Sequence, residues 1–368
     1  MKRKTQTILL LVFCTALTFA LYNFPTTNAQ TTPTTDRPRQ TPSPTPTTIA
    51  TPPPLPEEDD GVIKIDTELV NLNVRVVDRN NRAINTLTQT DFKVYEDNVL
   101  QPIEFFSKSE VPTNYSLVID NSGSLRQQIE KVIEAGKIII GTNRPDDESS
   151  IVRFVSSDKI EIQQDFTSNK TDLFDALDEL YIEGGQTAII DAVYLAAEKV
   201  DSYEKSRNPN DLKRRALILV TDGEDRDSFY KEPQLYQLLR ESDVQIFVIG
   251  FVNELSKEGG FISKSPQGKA KAFLERLATE TGGKTYFPNN VSELNGIAQD
   301  IASELRTQYS IGYSPTNKFQ DNSFRNLKIV VADGANKEKR IAITRSGITR
   351  SGNNTKPNLQ TPNQKPKN

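Results

Sequence analysis

The sequence predicts an α/β fold, a doubly wound and mostly parallel sheet with helices on both faces, together with a second, small all-β sandwich domain. Two observations predict it. Between residues 112 and 306, short runs that are apolar on both faces alternate with amphipathic helical stripes, which is typical of buried parallel strands joined by helices. The segments on either side instead alternate polar and apolar residues with a period of two, the pattern of half-buried strands.

The N-terminal 60 residues are predicted to lie outside the folded part. Residues 1–29 combine a basic start with a 15-residue apolar run at 8–22 and small residues before Ala29, which predicts a signal peptide cleaved after Ala29. The alternative is an uncleaved membrane anchor, although a span takes about 20 residues. Residues 30–60 are rich in Pro and Thr and predict a disordered linker, either a stalk that holds the folded head away from a surface or simply a secretion linker.

Two segments are predicted to build the β-sandwich, residues 61–111 as its first part and residues 307–349 as its second. In the first part, Leu72, Val74 and Val76 alternate with polar residues, and Asp97-Asn98 predicts a tight hairpin. The second part repeats the alternation. Neither segment has enough strands to cover its apolar face alone, so we expect one domain interrupted by the α/β domain at 112–306. Residues 350–368 are predicted to be a disordered tail.

The α/β segment is predicted element by element from its apolar pattern. Four apolar runs predict buried parallel strands, at Leu117–Ile119, Ile151–Val155, Leu217–Val220 and Ile246–Ile249. Alternation at Ile160 and Ile162 predicts an edge strand. Helical spacing predicts five helices, with stripes that begin at Leu125, Leu173, Ile189, Phe273 and Leu294.

Composition removes most enzyme chemistry. The chain has no His, and its one Cys lies in the N-terminal apolar run, so neither a Ser-His-Asp nor a Cys-His nucleophile is possible. Any metal must sit among oxygen ligands, which favours Mg²⁺, with Mn²⁺ or Ca²⁺ as alternatives. Residues 61–349 carry a net charge of −8, which argues against nucleic acid and against an anionic membrane surface as partners.

Oxygen-bearing residues recur where the predicted strands end. Asp120, Ser122 and Ser124 follow the first strand, Thr187 follows a Gly-Gly pair at the start of a helix, and Asp222 follows the third strand. Because ligands bind at the carboxyl ends of parallel strands, we expect these side chains to form one metal site. The alternative is that Asp120 and the serines only cap a helix, but this does not account for Thr187.

The acidic loop after Asp222 has two interpretations. Glu224, Asp225 and Asp227 either hold a second cation or form an ordinary solvated loop, and the solvated loop is the preferred interpretation. Their spacing does not match an EF-hand.

The chain resembles the von Willebrand factor type A domain and its metal-ion-dependent adhesion site. The resemblance covers about residues 113–306, and the family's five ligand positions fall on Asp120, Ser122, Ser124, Thr187 and Asp222. The flanking strand patterns also look like a bacterial secreted subgroup often called von Willebrand factor A-related acidobacterial-type proteins. The resemblance implies a Mg²⁺-type ion with one position open to a partner's carboxylate.

From this resemblance we expect a secreted or surface-displayed adhesion protein that recognises an Asp or Glu carboxylate of a partner protein. The alternative is a periplasmic or envelope assembly factor, or a chaperone-like factor, that uses the same site. A metal-assisted hydrolase is disfavoured because no general base is evident, so we expect no enzyme activity. We expect no nucleic-acid partner and no membrane contact beyond the signal peptide. The sequence leaves open the partner, the preferred cation and the oligomeric state.

Overall fold

The computed structural model describes residues 69–108, 111–203, 213–258, 265–319, 321–334 and 338–350. The chain divides into two compact units, residues 1–63 and 64–368, and every described residue belongs to the second. The predicted signal peptide, the linker and residues 351–368 of the predicted tail lie outside the described residues. In the described part of the chain, no helix is long and apolar enough to cross a membrane.

The strands follow one another in three groups along the chain. The first group is β1 (Val70–Val77), β2 (Phe92–Glu96), β3 (Val99–Gln101) and β4 (Ile103–Ser107). The second group is β5 (Thr113–Asp120), β6 (Glu148–Phe154), β7 (Ile160–Thr167), β8 (Arg214–Thr221), β9 (Val244–Gly250) and β10 (Thr285–Tyr286). The third group is β11 (Tyr309–Tyr313), β12 (Phe324–Val331), β13 (Ile341–Ile343) and β14 (Gly347–Thr349).

The second group forms the central six-stranded sheet, in the order β10-β9-β8-β5-β6-β7. All its neighbours pair in parallel except β6 and β7, which are antiparallel. The strands β5 and β9 are buried along their whole length, as runs apolar on both faces predict. The predicted α/β class is therefore confirmed, and the predicted edge strand is β7.

In the described part of the chain, six α-helices pack on this sheet, and they cover both of its faces, as predicted. They are α1 (Ile129–Gly141), α2 (Lys170–Asp178), α3 (Ile189–Ser202), α4 (Glu232–Glu241), α5 (Pro266–Thr281) and α6 (Leu294–Glu304). One apolar core joins the sheet to α3, α4 and α5, and a second core on the opposite face joins it to α1, α2 and α6. The sequence did not predict α4. The first helix also begins later than its stripe suggested, because Leu125 lies in a short 3₁₀ turn before α1.

The first and third strand groups pair with each other in two antiparallel four-stranded sheets. Their orders are β13-β1-β11-β4 and β14-β12-β2-β3. Residues from both groups share one apolar core, which includes Leu72, Val74, Tyr309 and Ile311. Asp97 and Asn98 form the predicted tight turn, with φ of 47° and 65°.

Candidate metal centre

The carboxyl ends of the central strands bring three loops together at one edge of the sheet. The backbone N–H of Asn121, just after β5, donates to the carbonyl of Phe154 at the end of β6 (2.9 Å). The N–H of Ala188, at the start of α3, donates to the carbonyl of Val155 (3.0 Å). The loop after β5 and the loop before α3 are therefore fixed to the same strand end.

Asp120 is the last residue of β5 and is completely buried. One carboxylate oxygen accepts from the Ser122 N–H (2.9 Å), and the other accepts from the Thr221 hydroxyl (2.7 Å). Burial raises the pKa of Asp120 to about 6, with a further contribution from the charge of Asp222, although the hydrogen bonds from Ser122 and Thr221 oppose the shift. The carboxylate is held in one orientation at the rim, and its charge is poorly compensated.

The two serines follow directly. The hydroxyls of Ser122 and Ser124 lie 2.9 Å apart, and Ser122 is buried while Ser124 is exposed. Ser122 has extended backbone angles and precedes the 3₁₀ turn at Gly123–Leu125, so the chain turns between the two hydroxyls. This side of the rim is open to solvent at Ser124.

Thr187 is buried just before α3. The loop reaches this position through Gly185, whose backbone conformation favours glycine. Gly185 has a φ of 119°, and a Cβ on it would lie 2.7 Å from the side chain of Val155. Only glycine accommodates both conditions. The Thr187 carbonyl accepts from the N–H groups of Arg226 (2.8 Å) and Asp227 (3.2 Å), which ties this loop to the segment after β8.

Asp222 is the first residue after β8 and is mostly buried. One of its carboxylate oxygens accepts from the Glu224 N–H (3.1 Å). In the described part of the chain, neither Asp222 nor Asp120 forms an ion pair with a basic side chain. Two neighbouring carboxylates thus lie at the rim with no basic side chain paired to them among the described residues.

The acids after Asp222 have structural partners. Asp225 accepts from the N–H of Ile190 (3.1 Å) in the first turn of α3, and Glu224 pairs with Arg226. An Asp227 carboxylate oxygen accepts from the N–H of Ser157 (3.3 Å). These contacts give the three partly or fully exposed acids partners within the protein, which favours the ordinary solvated loop over a second cation site.

The donor set at the rim consists of two carboxylates and three hydroxyls. Hydrogen bonds link Ser122 to both Asp120 and Ser124. Asp222 directly follows Thr221, whose hydroxyl donates to Asp120. Thr187 is linked to the rim through backbone hydrogen bonds. Among the described residues, no group of three or more His, Cys, Asp or Glu side chains is arranged to hold a metal. A metal at this rim would therefore depend on the hydroxyls as well as on the carboxylates.

Two residues at the rim were not predicted from the sequence. Thr221 fixes Asp120, and Asn121 donates from its side-chain amide to the carbonyl of Tyr181 (2.6 Å). The Asn121 carbonyl also accepts from the N–H groups of Glu183 (3.1 Å) and Gly184 (3.4 Å). Both residues adjoin candidate ligands in the sequence, but their partners lie in other loops, so the only available signal was that adjacency.

The fold is that of a von Willebrand factor type A domain. The model of that family matches residues 116–304, and the chain belongs to the family. Domains of this kind generally mediate protein–protein interactions and commonly use a divalent metal at the adhesion site.

One curated relative is an uncharacterized protein of Synechocystis. It is 31% identical over 188 residues, which make up 50% of this chain and 39% of the relative. The chain therefore matches about two fifths of that protein's length.

Solved structures with a similar fold come from several organisms. A von Willebrand factor type A protein from Catenulispora acidiphila is 13% identical, with 70% of this chain and 73% of that chain covered and a TM-score of 0.42. An aerotolerance-related membrane protein from Bacteroides fragilis is 22% identical, with coverage of 52% and 98% and a TM-score of 0.40. Proximal thread matrix protein 1 from the mussel byssus, whose adhesion-site motif is occupied by zinc, is 19% identical, with coverage of 54% and 48% and a TM-score of 0.42.

Proposed function

We propose that this protein is a secreted or surface-displayed binding protein that recognises a carboxylate of a partner protein through a Mg²⁺-type ion. The ion would be held by Asp120, Ser122, Ser124, Thr187 and Asp222. The observation that carries the proposal is the pair of neighbouring carboxylates, Asp120 and Asp222, at a strand-end rim with no basic partner among the described residues. A bound cation would neutralise this pair.

The donor chemistry fits such an ion. All five proposed ligands offer oxygen, which hard divalent cations prefer. The three hydroxyl ligands do not reduce the charge of the ion, and with Asp120 and Asp222 bound mainly through water the ion would supply a Lewis-acidic position for an external carboxylate. The exposed Ser124 lies on the solvent side, where a partner can approach.

The proposed location follows from the predicted signal peptide. We propose no catalytic activity, because the chain has no His and the rim offers binding chemistry rather than an activated nucleophile.

Calorimetric titration with Mg²⁺ tests the site. We expect the wild type to bind Mg²⁺, and Asp120→Ala and Asp222→Ala to lose binding while keeping the fold, because both residues lie at polar strand ends. Asp172→Ala, which removes an exposed carboxylate in the first turn of α2, serves as the control and should bind like the wild type. Wild-type affinity in both rim variants would contradict the proposed site.

The partner is tested separately, by capture from envelope extracts in Mg²⁺ and in EDTA. The proposal expects captured proteins that depend on Mg²⁺ and that are lost with Asp120→Ala. Capture that is equal in Mg²⁺ and EDTA, and equal for wild type and variant, would contradict metal-dependent recognition.

A further inference from the structure

Two exposed aromatic rings lie in the loops that adjoin the candidate metal centre. Tyr181 is 53% exposed and lies in the loop that leads to Thr187, and Phe229 is 68% exposed in the segment that follows Asp222. The other exposed large apolar side chains among the described residues lie on β7 or in the β-sandwich segments. The aromatic pair is therefore a feature of the rim.

The loop of Tyr181 is fixed to the metal-site residues. The backbone carbonyl of Tyr181 accepts from the side-chain amide of Asn121 (2.6 Å), the residue next to Asp120. The guanidinium of Arg153 lies 4.7 Å from the centre of the ring. Arg153 is itself mostly buried and bonded to Glu161 and Glu183, so it supports one side of the ring while much of the ring faces solvent.

The backbone of Phe229 is fixed to α3, the helix that follows Thr187. Its N–H donates to the buried carboxylate of Asp191 (2.8 Å), one turn after Thr187 in α3, and the N–H of Tyr230 donates to the same carboxylate (2.8 Å). Its ring packs edge-on against Tyr230, which stacks on Tyr194 with centroids 4.3 Å apart. The backbone under Phe229 is therefore anchored while its ring is exposed.

Anchored, exposed aromatic rings are effective contact residues. They offer a large apolar area and few rotatable bonds, so little conformational entropy is lost when a partner covers them. Aromatic residues are accordingly enriched among the side chains that dominate binding free energy.

The charges near the two rings limit which partners fit. Glu183 is paired with Arg153 and Lys159, and Glu224 is paired with Arg226. Asp225 and Asp227, which precede Phe229, accept only from N–H or hydroxyl groups among the described residues, so the surface beside the rings is neutral to acidic. A partner that carries a run of acids would find no basic surface beside the ion. A single carboxylate with apolar neighbours matches both the ion and the rings.

We infer that the metal face binds a peptide segment in which one Asp or Glu is flanked on both sides by apolar side chains, which pack on Tyr181 and Phe229. This inference rests on the proposed function, because the carboxylate needs the ion. It makes Tyr181 and Phe229 specificity-determining residues of the site.

An array of short synthetic peptides tests this surface. Each peptide carries a central Asp, and the flanking positions vary among Phe, Leu, Ser, Lys and Glu. The array is probed with the full secreted chain in Mg²⁺ and in EDTA. We expect signal that needs Mg²⁺ and is strongest when Phe or Leu flanks the Asp on both sides. Mg²⁺-dependent signal that is equal for Ser and Phe flanks would overturn the inference while leaving the proposed function standing.

Variants show whether the two rings are responsible. Tyr181→Ser and Phe229→Ser should each weaken binding of the Phe-flanked peptide by about tenfold, the usual scale for truncating an anchoring aromatic. Both should keep wild-type Mg²⁺ affinity by calorimetry. The control is Phe319→Ser, which removes a ring that is 75% exposed in the loop between β11 and β12 and should leave peptide binding unchanged.

The remaining outcomes distinguish failure of the assignment to the two rings from failure of the proposed function. An equal loss of affinity in Phe319→Ser, or unchanged affinity in both rim variants, would overturn the assignment to Tyr181 and Phe229. Absence of both Mg²⁺ binding and peptide binding in the wild type would overturn the proposed function and this inference together.

Discussion

Arg75 on β1 and Glu304, the last residue of α6, form an ion pair with 2.6 Å between guanidinium nitrogen and carboxylate oxygen, although 229 positions separate them in the sequence. Both side chains are more than nine-tenths buried. Lys284 also approaches Glu304, at 3.4 Å. The pair joins a strand of the β-sandwich segments to the last helix of the α/β segment.

Arg75→Met should destabilise the protein by about 3 kcal/mol, because removing one partner leaves a buried carboxylate poorly compensated. Denaturant unfolding measures the change in the free energy of unfolding. The matched control is Lys131→Met, which breaks an exposed pair with Glu134 and should change the stability far less, because solvent screens an exposed pair. Similar losses in the two variants would show that the buried pair contributes no more than a surface one.

The sequence could not have predicted this pair. Apolar periodicity predicts which face of an element is buried, and it correctly placed β5, β6, β8 and β9 in the sheet. It does not specify which charged residues meet across distant segments. The helix α4 was missed for a related reason: it is only ten residues long, and Leu235, Tyr236 and Leu239 are its only buried side chains.

In the candidate site, too, some features could be predicted from the sequence and others could not. The positions of Asp120, Ser122, Ser124, Thr187 and Asp222 beside strand ends and a helix start could be predicted, because strand ends are recognisable in the sequence and meet at one edge of the sheet. That these residues bind a metal stays a prediction. The contacts from Thr221 to Asp120 and from Asn121 to Tyr181 could not be predicted, since they depend on distances of about 3 Å between loops.

Asp120→Asn should stabilise the metal-free protein above about pH 6 and abolish Mg²⁺ binding. The pKa of Asp120 is raised from 3.8 to about 6 by burial, so the folded state binds more protons than the unfolded state between these values. The free energy of unfolding therefore falls as pH rises through this window, by up to about 3 kcal/mol. The variant should lack this fall.

Thermal or denaturant unfolding in EDTA across the same pH range checks this expectation. The wild type should lose stability between about pH 4 and pH 6, whereas Asp120→Asn should have a flatter profile in this range. Parallel profiles for the two proteins would contradict the assignment of this titration to Asp120.

Gly282→Ala should destabilise the protein by more than about 1 kcal/mol. Gly282 ends α5 with a φ of 77°, and a Cβ there would lie 2.6 Å from the backbone nitrogen of Arg345. The control is Gly141→Ala at the end of α1, where a Cβ would meet nothing within 4 Å and where alanine should be neutral or stabilising. Denaturant unfolding compares the two, and equal effects would contradict the role of the close approach at Gly282.

Deletion of residues 307–349 should expose the apolar face of β1 and cause aggregation. In the intact chain, β11 pairs with β1 from Val70 to Val74, and β13 pairs with Arg75 to Val77. Leu72, Val74 and Val76 are each at most 1% exposed and share their core with residues of β11 and β12. The deletion removes both strands that pair with β1 together with part of that core, which leaves an apolar strand with open edges.

Size-exclusion chromatography and binding of an apolar dye should show aggregates or exposed apolar surface in the protein that lacks residues 307–349. A monomeric, cooperatively folding truncated chain would show that the two β segments do not depend on each other and do not form one domain.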